Sequence, residues 1–154
     1  MNYIAEAEEI LKNHKKLNDS KRILENRKKL ILKIVTPKEL RAIDYERPAI
    51  QHMDYSNDTI NEICELAQVN QQIKETEAEL KTVNEILETI KKDDEISEKF
   101  IQLKFFEKPK VPLRKISSDL GYSEESNHTI YDIKNRALKE FAILYFGARA
   151  QKNI

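Results

Sequence analysis

The sequence has no tryptophan, one cysteine, two glycines and four prolines. A single thiol, Cys64, cannot close an internal disulfide, so the simplest compartment is a reducing cytoplasm. Cys64 stands among Ile63, Leu66 and Ala67, where a packed thiol is a plainer reading than a nucleophile. No run approaches 18 apolar residues, which excludes a membrane-spanning helix. The opening MNYIAEAEEILKNHKK lacks a basic start followed by an apolar stretch, and no signal peptide is expected. With glycine only at 121 and 147 there is no phosphate-cradling loop. His14, His52 and His128 lie in separate segments, and none has metal-ligand spacing with Cys64. Neither an enzyme, a metal nor a cofactor is expected.

What is present is charge, 35% of the residues, together with abundant Leu and Ile. Few breakers and many good helix formers favour long helices. The net charge of zero conceals three blocks. Residues 1–55 hold 12 basic and 9 acidic side chains (+3), residues 56–98 hold 4 and 12 (−8), and residues 99–154 hold 11 and 6 (+5). Such asymmetry says more about partners than the total does.

The hydrophobic period predicts a long helix over 3–35. Ile10, Leu17, Leu24 and Ile31 fall seven apart, with Ile23, Leu30 and Ile34 widening the stripe. Asn18-Asp19-Ser20 is its weakest point, where it can kink or break. Pro37 disfavours helix at Thr36 and ends it. Residues 36–57 form a connector with a short helical turn near 38–43. Tyr45, Ile50, Met53 and Tyr55 there are expected either to cover the end of the helical pair or to touch a partner.

Thr59-Ile60-Asn61-Glu62 has the form of a capping box, opening a second long helix that ends near 91–94. Leu66, Ile73, Leu80 and Leu87 are seven apart, and so are Val69, Thr76, Val83 and Ile90. These are the a and d positions of a heptad pattern. The two helices should fold back as an antiparallel, coiled-coil-like hairpin over 1–93, basic on the first helix and acidic on the second. Two helices alone leave apolar surface bare, so self-association as a homodimer or higher oligomer is expected through Leu66, Val69, Ile73, Leu80, Val83, Leu87 and Ile90.

From residue 96 the pattern changes. Ile96, Phe100, Leu103 and Phe106 predict one face of a helix ending near 107, and Lys108-Pro109-Lys110-Val111-Pro112 predicts a turn. A short helix over 113–120 buries Leu113, Ile116 and Leu120. Gly121 suits a helix end, and Ser123 or Ser126 can cap the next helix. That final helix, 127–146, buries Ile130, Ile133, Ala137, Leu138, Phe141 and Leu144, and a tail follows over 147–154. A short helix, a polar turn and a longer basic helix form the pattern of a helix-turn-helix, whose second helix enters the major groove.

Residues 96–146 resemble region 4 of sigma-70-type factors. FIQLKFF (100–106) ends one helix, VPLRKISSDLGYS (111–123) forms the scaffold helix, and Thr129-Ile130 precedes Arg136-Ala137-Leu138-Lys139-Glu140-Phe141. The turn is longer than the usual pattern, with extra residues within 124–128. A long helical part ahead of such a domain looks like phage late-gene transcription regulators of the ArpU/RinA kind. That resemblance implies an all-α, cytoplasmic activator. Its partners would be double-stranded promoter DNA and RNA polymerase or a phage or island regulatory protein. It also implies base contacts from Asn127, His128, Thr129, Tyr131, Asp132 and Asn135. Phosphate contacts would come from Arg114, Lys115, Lys134, Arg136 and Lys139. The bland readings stand beside these. His128 can simply cap the helix, Lys134, Arg136 and Lys139 can be a solvated face, and Arg136 is where region-4 domains often form an internal ion pair. A phage terminase small subunit recognising a packaging site and a protein-interaction module are the rival readings.

Overall fold

The computed structural model describes residues 1–34, 57–123 and 127–154, with side chains described from Ile60 in the second stretch and His128 in the third. Every element described is helical, so the fold class is all-α. The elements are α1 (Tyr3–Ile34), α2 (Asn57–Asp93), α3 (Glu95–Ile101) running into a π-wound segment π1 (Gln102–Glu107), α4 (Leu113–Asp119), α5 (Asn127–Phe146) and α6 (Ala148–Gln151). The predicted turn over 38–43 and the apolar connector residues lie outside the described residues. α1 passes through Asn18-Asp19-Ser20 without interruption. α2 begins at Asn57, so Thr59 stands inside the helix and not at its cap.

By contacts the chain divides into Met1–Lys16 with Leu80–Ile154, and Leu17–Glu79. The pattern had placed the division at 93/96. The reason for the difference is a shared core. Ala7 and Leu11 of α1 and Val83, Ile86, Leu87 and Ile90 of α2 are buried in one cluster with Phe100, Ile116 and Phe141. The C-terminal helices therefore have no separate core of their own.

In the unit Leu17–Glu79, α1 and α2 are antiparallel, since Lys21 meets Glu77 at 3.2 Å and Arg27 meets Glu65 at 2.5 Å. These exposed pairs contribute little. The apolar core is Ile31, Leu66, Val69 and Ile73, with Leu24 and Leu32 packed against it. Ile23, Leu30 and Ile34 do not widen this stripe. They point away from it and are 60–62% exposed.

In the larger unit, α3 and π1 carry a change of helical winding. Ile96 is exposed, whereas Ser97, Phe100, Ile101 and Phe105 are buried. A π turn holds an extra residue, which rotates the following side chains relative to an α-helical pattern. Phe105 thereby enters the core, edge-on to Phe100 with centroids 6.3 Å apart. Phe106 lies half-buried and stacks on His14 of α1 at 4.2 Å. Burial pushes the His14 imidazole below its ordinary pKa, and a hydrogen bond with Asn84 opposes this only in part.

α4 ends in a Schellman motif. The Tyr122 N–H donates to the Ser117 carbonyl at 3.0 Å, and the Gly121 N–H donates to the Ser118 carbonyl at 3.0 Å. This closure needs a left-handed residue, and Gly121 has φ +86°. No atom beyond Gly121 and its two chain neighbours lies within 4 Å of where a Cβ would stand. Gly121→Ala should therefore cost about 1 kcal/mol, all of it backbone strain. Urea unfolding read by circular dichroism checks this, and a loss above about 3 kcal/mol would mean that the turn does more than end the helix.

Candidate nucleic-acid interface

α5 is a 20-residue helix with two unlike sides over most of its length. Ile130, Ile133, Ala137, Leu138, Phe141 and Ala142 are buried. Leu144, expected on that side, is 45% exposed, and Ala142 is buried instead. Leu144 edges a shallow cleft with Ile90, Asp93, Glu140 and Ile143. Along the other side His128, Tyr131, Asp132, Asn135 and Lys139 are exposed, and Thr129 is half-buried. Their spacing of three or four residues sets them in one row. Tyr131 is 54% exposed, a large aromatic left in solvent at the middle of that row. It borders a cleft of about 280 Å³ together with Pro112, Leu113, Arg114 and Ile130. Arg114 and Lys115 on α4 are exposed. The side chain of Asn127 is outside the described residues.

Two of the expected phosphate contacts are committed elsewhere. Lys134 reaches Glu8 of α1 at 3.3 Å, and its side chain is only 23% exposed. Arg136 donates through Nε to Asp94 Oδ2 at 2.6 Å. Asp94 also accepts from the Ser97 backbone N–H at 3.2 Å and from the Ser97 hydroxyl at 2.6 Å, capping α3. Burial raises the Asp94 carboxyl, but the Ser97 bonds and the Arg136 guanidinium outweigh it, and the carboxyl titrates below its ordinary value. Arg136 thus ties α5 to the start of α3. The spacing Asp94-x-x-Ser97 is a capping signal in the sequence. It passes unnoticed because Asp94 sits in a run of acidic and basic residues that reads as a helix end.

The heptad positions also face inward. Leu66, Val69, Ile73, Leu80, Val83, Leu87 and Ile90 are all 8% exposed or less within the single chain. They are packing residues of their own units, which corrects their assignment as the surface offered to a second copy. No group of His, Cys, Asp and Glu able to hold a metal occurs among the described residues. No described helix is long and apolar enough to cross a membrane.

The arrangement presents a row of hydrogen-bonding side chains and one aromatic ring on the first two-thirds of a helix, with cations beside it. No protein-family model, curated protein or solved structure matches the chain.

Proposed function

We propose that this protein is a sequence-specific DNA-binding regulator of transcription that inserts the exposed row of α5 into the major groove. The supporting observation is that row. His128, Tyr131, Asp132, Asn135 and Lys139 stand free of the core on a helix that follows a short helix and a glycine-closed turn. A helix-turn-helix reads bases from the first turns of its second helix. Asn135 can pair in bidentate fashion with adenine, and Tyr131 can meet a thymine methyl. Arg114, Lys115 and Lys139 then supply phosphate contacts. The likeness of residues 96–146 to sigma region 4 adds the promoter as the target and an activator of phage late genes as the role. RNA polymerase or another phage regulator would be the protein partner.

Asn135→Ala should relax preference at one base position by about 1–3 kcal/mol, whereas Lys139→Ala should weaken all sequences alike. Fluorescence anisotropy with the selected site and with random duplex separates the two effects. Equal losses of Asn135→Ala on both duplexes would remove it from the base-reading row. The site itself would come from retention of fragments of the surrounding genome at about 150 mM salt with competitor DNA. Retention beside packaging genes alone would favour the terminase reading. A particle of many subunits in light scattering would point the same way.

A further inference from the structure

Glu8, Lys12, Lys104 and Lys134 come from three parts of the chain and meet at one place. Lys12 Nζ lies 2.9 Å from Glu8 Oε1, and Lys134 Nζ lies 3.3 Å from the same oxygen. Lys104, on π1, is half-buried and donates to the carbonyl oxygens of Val111 at 2.9 Å and Pro109 at 3.5 Å. Its ammonium is close enough to Lys134 and Lys12 to feel their charge. Burial first, then those two lysines, hold it below its ordinary pKa, and Glu8 opposes them. Glu8 in turn is ionised. Burial raises its carboxyl, but the bonds to Lys12 and Lys134 more than offset this.

Lys12 and Lys134 thus share the Glu8 carboxylate, and a third ammonium, Lys104, is held on the Val111 and Pro109 carbonyls within range of their charge. A structural ion pair needs one cation, or two where a carboxylate bridges them. The third leaves a charge surplus in a partly buried place, which folding must tolerate unless an anion relieves it. Lys12 is open to that anion, since its side chain is 60% exposed. The cluster also borders the proposed groove-facing row. Lys134 is on the turn of α5 next to Tyr131, and the carbonyls that hold Lys104 belong to the loop leading to Arg114.

We propose that Lys12 and Lys104, beside the Glu8–Lys134 pair, form a subsite for a backbone phosphate of duplex DNA, so that the first turns of α1 are part of the DNA interface. This rests on the DNA-binding reading of α5 and extends it to a helix that the sequence pattern assigns only to the hairpin. Lys134 acts as a positioning residue, holding Glu8 so that Lys12 and Lys104 face one phosphate. Lys15, one turn beyond Lys12 and exposed, continues the same face along the strand.

The test is binding of the full-length protein to a random-sequence duplex across a salt series. Wild type is compared with Lys12→Gln, Lys104→Met and the control Lys99→Gln, a lysine paired locally with Glu95. Each phosphate contact contributes about 0.9 to the slope of log K against log salt. Lys12→Gln and Lys104→Met should each lower the slope by about that amount, while Lys99→Gln leaves it unchanged. Melting temperature in pyrophosphate at constant ionic strength is the second reading. Pyrophosphate should raise it for wild type and not for Lys12→Gln, which also covers any folding defect in Lys104→Met. An unchanged slope in Lys12→Gln, with wild type binding DNA, overturns the subsite and leaves the reading of α5 standing. Absence of any duplex binding by wild type overturns that reading. The anion site is then upheld or overturned by pyrophosphate alone.

Discussion

Phe141→Ala is expected to lower the free energy of unfolding by about 3–5 kcal/mol, the usual cost of emptying a large buried aromatic site. Phe141 is fully buried and stacks against Tyr145 with centroids 5.9 Å apart. It belongs to the one cluster that holds Ala7 and Leu11 of α1, Val83 and Ile90 of α2 and Phe100 of α3. A domain of ordinary stability has about 5–15 kcal/mol in all, so the loss is a large fraction of the total. Because the core is shared, the damage should not stop at the C-terminal helices. Urea unfolding followed at the far-ultraviolet helix signal should show a lower midpoint with an unchanged slope. The comparison is Leu144→Ala. Helical periodicity groups Leu144 with the buried residues of α5, but it is 45% exposed, and its removal should change stability by no more than about 0.5 kcal/mol. Equal losses at 141 and 144 would mean that the C-terminal half of α5 is covered by something beyond this unit.

The second large effect is expected at Asp94. Asp94→Ala removes the cap of α3, worth about 1 kcal/mol. It also takes from the fully buried Ser97 hydroxyl its acceptor and from Arg136 its partner, for a total near 2 kcal/mol. Asp94→Asn, which keeps a capping oxygen and loses the charge, should cost less. The pH dependence follows from the direction of the shift. The folded carboxyl titrates below its ordinary value of 3.8, so on acidification the unfolded chain takes up the proton first. The stabilisation is complete above about pH 3.8 and is lost as the pH falls through the folded value. Unfolding midpoints at neutral pH and near pH 3 should therefore lie closer together in Asp94→Asn than in wild type. Parallel losses in both proteins would mean that Asp94 carries no such linkage.

Much of this architecture is legible along the chain. The all-α class, the two long helices, the short helix before Gly121 and most of the buried side of α5 follow from apolar spacing and from one well-placed glycine. These are local properties, set by a period of 3.6 residues and by φ preferences that each residue carries with it. His128, Tyr131, Asp132 and Asn135 come forward in the sequence through the resemblance to sigma region 4, and the structure adds that these and Lys139 are exposed along one side of α5.

The departures share a cause in distance along the chain. Periodicity shows that Ile23, Leu30 and Ile34 are apolar and regularly spaced, but the packing of Leu24, Ile31 and Leu32 with Leu66, Val69 and Ile73 leaves them turned outward. Ile96 is exposed because the buried side of α3 runs through Ser97, Phe100 and Ile101, and the π-wound segment beyond it brings Phe105 into the core. The heptad residues of α2 look available to a second copy until α1 and the C-terminal helices are seen to cover them. Lys134 and Arg136 read as free cations in a basic helix. Their carboxylate partners, Glu8 and Asp94, lie 126 and 42 residues away. The all-α class, the long helices and most of the buried side of α5 are thus set locally along the chain. Which charges are spent inside the fold, and that α1 shares a core and a lysine cluster with α5, was decided only by tertiary structure. Ion pairs and core contacts depend on positions in space, and helical periodicity holds no information about those beyond a few turns.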